Sequence, residues 1–445
     1  MKIQKRCATM ALLAAAAASA AGAQQRPAIR QLGATVGKTT ETFVNVTSVR
    51  ALSNGSLLVN DVAGRRLVLF NPQLSTFTLI ADSTSATANA YGGRLGGLAG
   101  YKGDSSIFVD PSSLSMLVID PAGKVARVIS VPRAQDANML ASPIGSPVLA
   151  PNGKLVYRAQ PQISFGGTRT VTIGGSGGGG AAPGGIPQIP EIPDSAPVLR
   201  IDLATRVVDT LGYIKTPKIK MDVQRDDNGN VRIASMINPL PTVDDWAMTP
   251  DGAVAFIRGR DYHVDWINPD GTKASSPKVP FDWQRMTEED KIAFIDSLKA
   301  ARAKLASSAP TAVTPGAAPA PGNGGGSPNI QIFGGPGGAG GGPPRGGLPQ
   351  IQQNFIPASE LPDYKPPFFA GSTRADTDGN LWVRTIPTSA VAGGPVYDVI
   401  SRKGELVDRV QVATGRSIIG FGPGGAVYLV NRDGATVTIE RASVK

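Results

Sequence analysis

One charged residue stands at or near the end of a short apolar segment at six places along the chain. Each segment follows a turn that contains Gly, as in SNGSLLVND (53–61) and PNGKLVYR (151–158). The six residues are Asp61, Asp110, Arg158, Arg258, Arg384 and Arg432. Because a guanidinium group binds a carboxylate through two parallel hydrogen bonds, this set could hold an anionic or zwitterionic ligand. The same residues could instead form salt bridges between neighbouring structural repeats.

Carboxylates suggest a second kind of chemistry. Asp244 and Asp245 precede the apolar segment that ends at Arg258. Together with Asp61 and Asp110 they could offer oxygen ligands to a hard cation such as Ca²⁺. The four residues are far apart in sequence and lie in no calcium-loop motif, so their meeting depends on the fold. The cofactor is therefore unknown from sequence, with a structural or channel-mouth calcium ion as the expectation to test.

Histidine and cysteine chemistry is almost excluded by composition. His263 is the only histidine, which argues against a histidine-ligated metal centre or a histidine-based triad and favours a structural role for this residue. The only cysteine is Cys7, so residues 24–445 hold no thiol for a disulfide, a metal or a nucleophile. We therefore predict no catalytic residue from the sequence.

The charged residues lie within a repeat that occurs six times. In each unit a Gly turn and an apolar strand are followed by two more strands, which an Asn- or Asp-led turn joins, as in RLVLFNPQLSTFTLI (66–80). With the apolar segment before the Gly turn, most units have four strands, here a to d. Such a unit cannot bury its own faces and must stack on its neighbours. The sequence therefore predicts an all-β fold, a six-bladed β-propeller formed by 24–445 as one domain.

The sixth unit ends after its third strand. A missing fourth strand would leave an unpaired edge. The segment PAIRQLGATVG (27–37) lies before the first unit and has a β-like pattern. We predict that it becomes the outer strand of the last blade, a 3+1 closure of the ring by the mature N-terminal strand. The alternative is an unrelated disordered N-terminal tail.

Longer segments interrupt the repeat only at b–c or d–a junctions. They are 82–94, 160–196, 219–236, 281–366 and 385–394. In an antiparallel four-stranded blade these junctions share one face, here called the insertion face, and the a–b and c–d turns share the other, here called the turn face. Since variable loops on a rigid scaffold commonly carry function, the insertion face is the expected binding surface. The alternative is that this face merely tolerates insertions.

The largest insertion has two parts. We predict an inserted helix over 285–305, with Thr287 as its N-cap and acidic residues in its first turn. Its apolar stripe is formed by Ile292, Ile295, Leu298 and Leu305. The following 306–350 is rich in Ala, Pro and Gly and is predicted to be disordered, as is the Gly-rich insertion 160–196.

The first residues resemble a secretory signal peptide, 1–23. Three basic residues precede an Ala/Leu-rich run, and Ala21-Gly22-Ala23 forms a small-x-small cleavage site. The run is too short for the alternative, a membrane anchor, and no later segment is long and apolar enough to span a bilayer. We expect an exported protein, periplasmic or extracellular.

The net charge does not indicate a nucleic-acid partner. The whole chain carries +10, and the segment after the signal peptide carries +7, because Lys2, Lys5 and Arg6 are removed. The remaining charges are scattered, whereas nucleic-acid binding needs a clustered basic stripe. A solvated, mildly basic surface is the simpler interpretation.

Two segments resemble the blades of six-bladed propellers of the NHL/TolB-like superfamily. They are SVRALSNGSLLVNDVAGRRLVLFNP and GSTRADTDGNLWVRT, and the resemblance covers most of 27–445 outside the Gly-rich insertions. The resemblance implies the propeller architecture. It also implies a range of activities, because this group includes protein-binding scaffolds, amidating lyases, lactonase-like hydrolases and sugar or quinone-dependent dehydrogenases. Its enzymes share His, Glu or Asn metal ligands at the channel, and this chain has one His and no strand-a Glu.

These observations favour an exported binding or scaffold propeller. We expect it to be a monomer that engages a protein, peptide or envelope component through its insertion face. The alternative is a metal-dependent hydrolase or lyase that acts at the mouth of the central channel with a calcium-like ion.

Overall fold

A computed structural model describes residues 26–145, 147–161, 192–218, 220–225, 231–308, 352–388, 392–434 and 436–444. The predicted signal peptide, most of 160–196 and most of 306–350 lie outside these residues. Within them the chain is mostly β, with two α-helices, α1 (Ala137–Leu140) and α2 (Glu288–Ser308). No helix in the described ranges is long and apolar enough to cross a membrane.

Six units of sequential strands form the body of the described structure. Two short strands come first, β1 (Ile29–Gln31) and β2 (Thr35–Lys38). Sheet I has β3 (Val46–Ala51), β4 (Leu57–Asp61), β5 (Arg66–Phe70) and β6 (Phe77–Asp82). Sheet II has β7 (Gly97–Gly100), β8 (Ser106–Asp110), β9 (Ser115–Ile119) and β10 (Val125–Ser130). Sheet III has β11 (Val148–Leu149), β12 (Lys154–Arg158), β13 (Ser195–Asp202) and β14 (Val208–Lys215).

The second half of the chain repeats this pattern after an added hairpin, β15 (Lys220–Arg225) and β16 (Val231–Ile237). Sheet IV has β17 (Asp245–Met248), β18 (Val254–Arg258), β19 (His263–Ile267) and β20 (Lys273–Ser275). A further short strand, β21 (Gln352–Phe355), precedes sheet V. Sheet V has β22 (Phe368–Ala375), β23 (Leu381–Thr385), β24 (Val396–Ile400) and β25 (Leu406–Gln411). Sheet VI has β26 (Arg416–Gly422), β27 (Ala426–Asp433) and β28 (Thr436–Ser443).

Strands that are consecutive within a sheet pair antiparallel, and short turns fix their register. In the turn before β4, the Asn54 side chain accepts a hydrogen bond from the Ser56 amide at 2.9 Å, and Gly55 has φ 85°. That φ is costly for any residue with a Cβ, which explains the Asn-Gly pair. Several four-stranded antiparallel sheets of this kind are consistent with a β-propeller.

Apolar clusters pack each sheet against the next. Leu58 and Phe108 share a cluster between sheets I and II, Ile107 and Tyr157 one between II and III, and Val156 and Trp246 one between III and IV. Ile257 and Val383 share a cluster between sheets IV and V, and Tyr397 and Val427 share a cluster between sheets V and VI. Val430 and Val59 share a cluster between sheets VI and I. Each fully buried large side chain stabilises the fold by about 1.5–3 kcal/mol, so neighbouring sheets are strongly coupled.

The N-terminal segment (26–38) joins the last two sheets. β2 pairs antiparallel with β28 and so becomes the fourth strand of sheet VI, as Thr35 opposite Ala442 shows. β1 adds to β25 as a fifth, parallel strand of sheet V. The sequence predicted one outer strand over 27–37, whereas the segment divides into two strands in two sheets. A parallel edge strand leaves no local sequence signal, because its partner lies almost 380 residues away.

The insertions before sheets IV and V meet in one accessory unit. β21 pairs parallel with β16, so β15, β16 and β21 form a three-stranded sheet. α2 packs beside it through Ile295, in a cluster with Leu240, Met286, Ile356 and Leu361. The helix begins three residues after the predicted start and ends three after the predicted end. Two segments far apart in sequence therefore share one small core.

Candidate functional site

The predicted charged residues do stand at strand ends. Asp61, Asp110, Arg158 and Arg258 each end a second strand, and Arg384 and Arg432 stand one residue before such an end. These ends meet the b–c connections and so lie on the insertion face. The partners of the six residues differ, and the described contacts do not gather them around one centre.

The Asp61 carboxylate is hydrogen-bonded mainly to nearby backbone amides. Its buried carboxylate accepts hydrogen bonds from the amides of Asn45 at 2.9 Å and Gly64 at 3.1 Å, and from Arg66 Nε at 3.2 Å. It thereby fixes the entry into sheet I and the turn after β4. Since buried backbone N–H groups need acceptors, this carboxylate has a structural role.

Asp110 has the equivalent role in sheet II. It is buried and accepts hydrogen bonds from the Ser112 amide at 3.1 Å and the Ser113 hydroxyl at 2.7 Å. The second acidic member of the set therefore also stabilises the turn that follows its strand.

Arg258 forms a bridge between two carboxylates. Its Nη1 lies 2.9 Å from Asp244 and its Nε lies 2.8 Å from Asp265, and Asp244 also accepts the amide of Gly259 at 3.1 Å. Burial lowers the pKa of Arg258, but the hydrogen bonds to both carboxylates outweigh burial and raise it. Asp244 and Arg258 are thus an ion pair of sheet IV. Their contacts lie mainly within one sheet rather than between sheets.

The remaining arginines are in three different situations. Arg432 donates to Asn45 Oδ1 at 2.8 Å and so ties sheet VI to the start of sheet I. Arg384 is exposed. Arg158 is half-buried and its Nε is fully buried, yet among the described residues its guanidinium has no hydrogen-bonding or ion-pairing partner. Burial lowers the pKa of Arg158, partly offset by the nearby carboxylate of Asp245.

Asp245 is a buried carboxylate between sheets IV and V. It is 2% exposed and accepts the Thr373 amide at 2.8 Å. Burial raises its pKa more than its backbone hydrogen bonds lower it. Near it, Thr373 Oγ1 and Arg158 Nε are buried without hydrogen-bond partners in the described structure. Trp246 Nε1, on the opposite side of the same strand, is also buried without a partner there. These are unsatisfied polar atoms that a bound group or water would complete.

A loop that the sequence analysis did not single out crosses this region. Residues 131–147 connect sheets II and III and contain α1. A Cβ on Gly371 of sheet V would lie 3.4 Å from Ile144, and one on Gly145 would lie 2.4 Å from Trp246 Nε1. The loop therefore lies against the inner strands of sheets IV and V. Glycines at the contact points were the signal for this close approach.

The four predicted carboxylate ligands do not fit a calcium site. Calcium takes six to eight oxygen ligands. The oxygens of Asp61, Asp110, Asp244 and Asp245 face backbone N–H groups, a serine hydroxyl or arginines instead. In the described residues no three His, Cys, Asp or Glu side chains form a group that could hold a metal ion. These four residues therefore do not form one oxygen-ligand site in the described structure, and a calcium ion at the channel mouth stays a prediction.

His263 lies on β19 between two carboxylates. Its Nδ1 is 2.7 Å from Asp261 Oδ1 and its Nε2 is 3.3 Å from Asp265 Oδ1. Asp265 also contacts Arg258, so the histidine belongs to the same polar network of sheet IV. This environment is that of a structural histidine.

Comparisons with known proteins identify no family. No protein-family profile matches the sequence, and no curated protein matches it. The fold is similar to a gluconolactonase from Xanthomonas campestris, at 11% identity and a TM-score of 0.39 over 95% of this chain and 98% of that chain. It is similar to virginiamycin B lyase from Staphylococcus aureus, at 11% identity and a TM-score of 0.33 over 91% and 86%. It is similar to TolB from Acinetobacter baumannii, at 10% identity and a TM-score of 0.32 over 87% and 63%. At this level of similarity none of their activities transfers to this chain.

Proposed function

We propose that the protein is an exported six-bladed β-propeller that binds a protein, peptide or envelope component through its insertion face. Support for six blades comes from the apolar clusters. One cluster lies between each pair of successive sheets from I to VI, and another lies between sheets VI and I. Support for a 3+1 closure comes from β2, which pairs with β28 as the fourth strand of sheet VI.

Export is supported by the first residues of the sequence. The basic n-region, the short apolar run and the small-x-small site before Gln24 have the order of a secretory signal peptide. The remaining chain has no cysteine, so its stability in an oxidising compartment rests on the clusters between sheets rather than on disulfides.

The observation that carries the binding function is the accessory unit. Two insertions form a sheet and a helix with a common core, and both insertions follow d–a junctions, which the blade topology assigns to the insertion face. Large apolar side chains of this unit stay exposed: Trp283 at 38%, Ile292 at 52% and Tyr364 at 48%. Aromatic residues of this kind dominate the centres of protein interfaces.

Arg158 adds a charged contact to this proposal. Its guanidinium donates no hydrogen bond in the described structure, although the Asp245 carboxylate lies nearby, whereas Arg258 and Arg432 are engaged. A half-buried cation without a hydrogen-bond acceptor is costly unless a ligand completes it. We assign to it a carboxylate of the bound partner, which would form a charge-assisted pair.

The metal-dependent alternative has no specific support from these residues. It depended on Asp61, Asp110, Asp244 and Asp245, and each of these carboxylates stabilises local backbone or an arginine. We therefore assign no hydrolase or lyase step to them.

The test is quantitative cross-linking capture from a solubilised envelope fraction of the producing cell. The variant Trp283→Ala/Ile292→Ala/Tyr364→Ala removes the exposed apolar side chains of the accessory unit. We expect the captured partner to fall by about tenfold or more, since interface aromatics are commonly hot spots. The thermal unfolding midpoint should fall by only a few degrees, because the three side chains are about half exposed and belong to no buried cluster of the described residues.

The matched control is Val125→Ala/Val128→Ala/Val207→Ala. These valines are also exposed, but they lie on outer strands or next to a turn of sheets II and III. Capture that is unchanged in the first variant, or equally reduced in the control, would refute the assignment of binding to the accessory unit.

A further inference from the structure

The turn face carries a wide recess that no insertion borders. It has a volume of about 610 Å³ and lies where β3, β7 and β11 end and their turns begin. Its lining includes Arg50, Gly100, Tyr101, Lys102, Leu149 and Pro151. A smaller cavity of about 180 Å³ continues from it between sheets III and IV and shares the turn Ala150–Asn152. Concave sites of this size typically hold small molecules.

Arg50 is held in a fixed position at the edge of this recess. Its Nε donates to Ser106 Oγ at 2.9 Å and its Nη2 to the Ser105 carbonyl at 3.2 Å. Asp104 lies 3.5 Å from the same Nη2 and is held in turn by the amide and hydroxyl of Ser53. Two of the three guanidinium nitrogens are thus engaged by the turn before β8.

The third nitrogen of Arg50, Nη1, lies beside a glycine that lines the recess. A Cβ on Gly100, which lines the recess, would lie only 2.7 Å from Nη1, so glycine leaves room for the guanidinium. Nη1 has no hydrogen-bond acceptor among the described residues. Burial lowers the pKa of Arg50, partly offset by Asp104, so this cation is already partly desolvated.

Lys102 supplies a second cation at the rim. It is exposed, and its stem reaches the next turn, because a Cβ on Gly153 would lie 3.3 Å from Lys102 Cε. The cations Arg50 and Lys102 and the anion Asp104, which lies behind Arg50, together carry one net positive charge. Leu149 and Pro151 provide an apolar wall on the side of sheet III. One net positive charge beside an apolar wall suits a monoanion with an apolar body.

We propose that this recess binds a small organic monocarboxylate, with its carboxylate between Arg50 Nη1 and Lys102 and its apolar body against Leu149 and Pro151. This site is separate from the insertion face and does not depend on the partner proposed there. The ligand class follows from the charge balance: a phosphate dianion would leave the recess with net negative charge, and a neutral amide would leave the one net positive charge, which Asp104 does not balance, without a counter-charge.

The experiment is isothermal titration calorimetry of the mature chain with 3-phenylpropionate as the probe. We expect saturable binding at one site per chain, with 3-phenylpropionamide and inorganic phosphate each at least about tenfold weaker, as the loss of a charge-assisted pair implies. Lys102→Met should weaken the probe several-fold and Arg50→Met by about tenfold or more. Arg206→Met, a turn-face arginine of sheet III outside the recess lining, is the matched control and should bind normally.

Several results would overturn the proposal. The first is the absence of saturable heat up to about 10 mM probe, which corresponds to a binding free energy weaker than about −3 kcal/mol. The second is binding of the amide or of phosphate as tight as that of the probe. The third is unchanged binding in both cation variants. If Arg50→Met fails to fold, Lys102→Met still decides, because Lys102 is exposed and has no ion pair in the described structure.

Discussion

The two faces of the molecule place their arginines in different surroundings. On the insertion face, the buried carboxylates of Asp61 and Asp110 accept hydrogen bonds from backbone amides, and Arg258 pairs with Asp244 and Asp265. Arg158 on the same face has a buried Nε without a hydrogen-bond partner in the described residues. On the turn face, Arg50 is held by Ser105, Ser106 and Asp104, and its Nη1 has no acceptor in the described residues. Each face therefore keeps an arginine with an unused donor, and the insertions alone do not mark where an open polar site lies.

The largest effect should come from deleting the N-terminal segment (26–38), which serves both faces alike. The deletion leaves β28 without its outer partner and removes the contacts of Arg30 with Asp408 and the Val444 carbonyl. We expect the unfolding midpoint to fall by about 5 °C or more, since each kcal/mol of lost stability lowers the midpoint of a large domain by about 2 °C and the deletion removes one strand from each of two sheets. Differential scanning calorimetry measures the unfolding midpoint of the deleted chain and of the full chain.

The control for this deletion is a chain in which 306–350 is shortened by half. Its Ala/Pro/Gly composition has too few apolar residues to contribute to a core, so the midpoint should stay unchanged. Equal losses in both chains would show that length, and not the pairing of β2 with β28, accounts for the effect.

The next largest effect should separate the two faces. Asp61→Ala leaves the amides of Asn45 and Gly64 without their acceptor, at a cost of about 1–3 kcal/mol. Chemical denaturation should show this loss, while binding of 3-phenylpropionate to the recess stays unchanged. Lys102→Met should weaken the probe and leave stability unchanged, because Lys102 is exposed and has no ion pair in the described structure. If Asp61→Ala weakened the probe as strongly as Arg50→Met, the two faces would not be independent.

A smaller effect should appear in the pH dependence of stability. Burial raises the pKa of Glu440, but hydrogen bonds from Arg416 and Asn431 outweigh it and hold the pKa below its usual value. A carboxyl with a lowered folded-state pKa stabilises the fold above its unfolded pKa, and this stability is lost as the pH falls through the folded pKa. Thermal midpoints should therefore decrease with acidification below about pH 4.5 less steeply in Glu440→Gln than in the wild type. Identical slopes would contradict a role for Glu440.

The smallest effect should come from Arg158→Met, with Arg258→Met as its matched comparison on the insertion face. Arg158→Met removes a half-buried cation that donates no hydrogen bond in the described structure, and it should change stability by less than about 1 kcal/mol, because the lost attraction to Asp245 opposes the relieved cost of burial. Arg258→Met leaves the carboxylates of Asp244 and Asp265 without their cation and should lower the free energy of unfolding by about 1–3 kcal/mol. The stability of both variants is measured from their denaturation midpoints in guanidinium chloride. A clear loss of stability in Arg158→Met would indicate a structural partner for this residue.

The sequence predicts local features of this fold well and the partners of its side chains poorly. The strand ending at Asp61 and the turn at Asn54-Gly55 follow from apolar pattern and turn chemistry, which are local. The placement of 29–31 on sheet V, and of Asp245 beside Thr373, depends on residues more than a hundred positions away. The recess was missed for the same reason. Arg50 was visible as one charge in an apolar strand, but Gly100 and Lys102 become its neighbours only when sheets I and II stack.

The pairing of β2 with β28 also sets an order of events during synthesis. Residues 35–38 leave the ribosome about 400 residues before their partners on β28, since Thr35 pairs with Ala442. β2 must therefore remain without its partner until all the sheets between them have been made. Because contacts between such distant segments form slowly, we expect the pairing of β2 with β28 to be a late and rate-limiting event of folding.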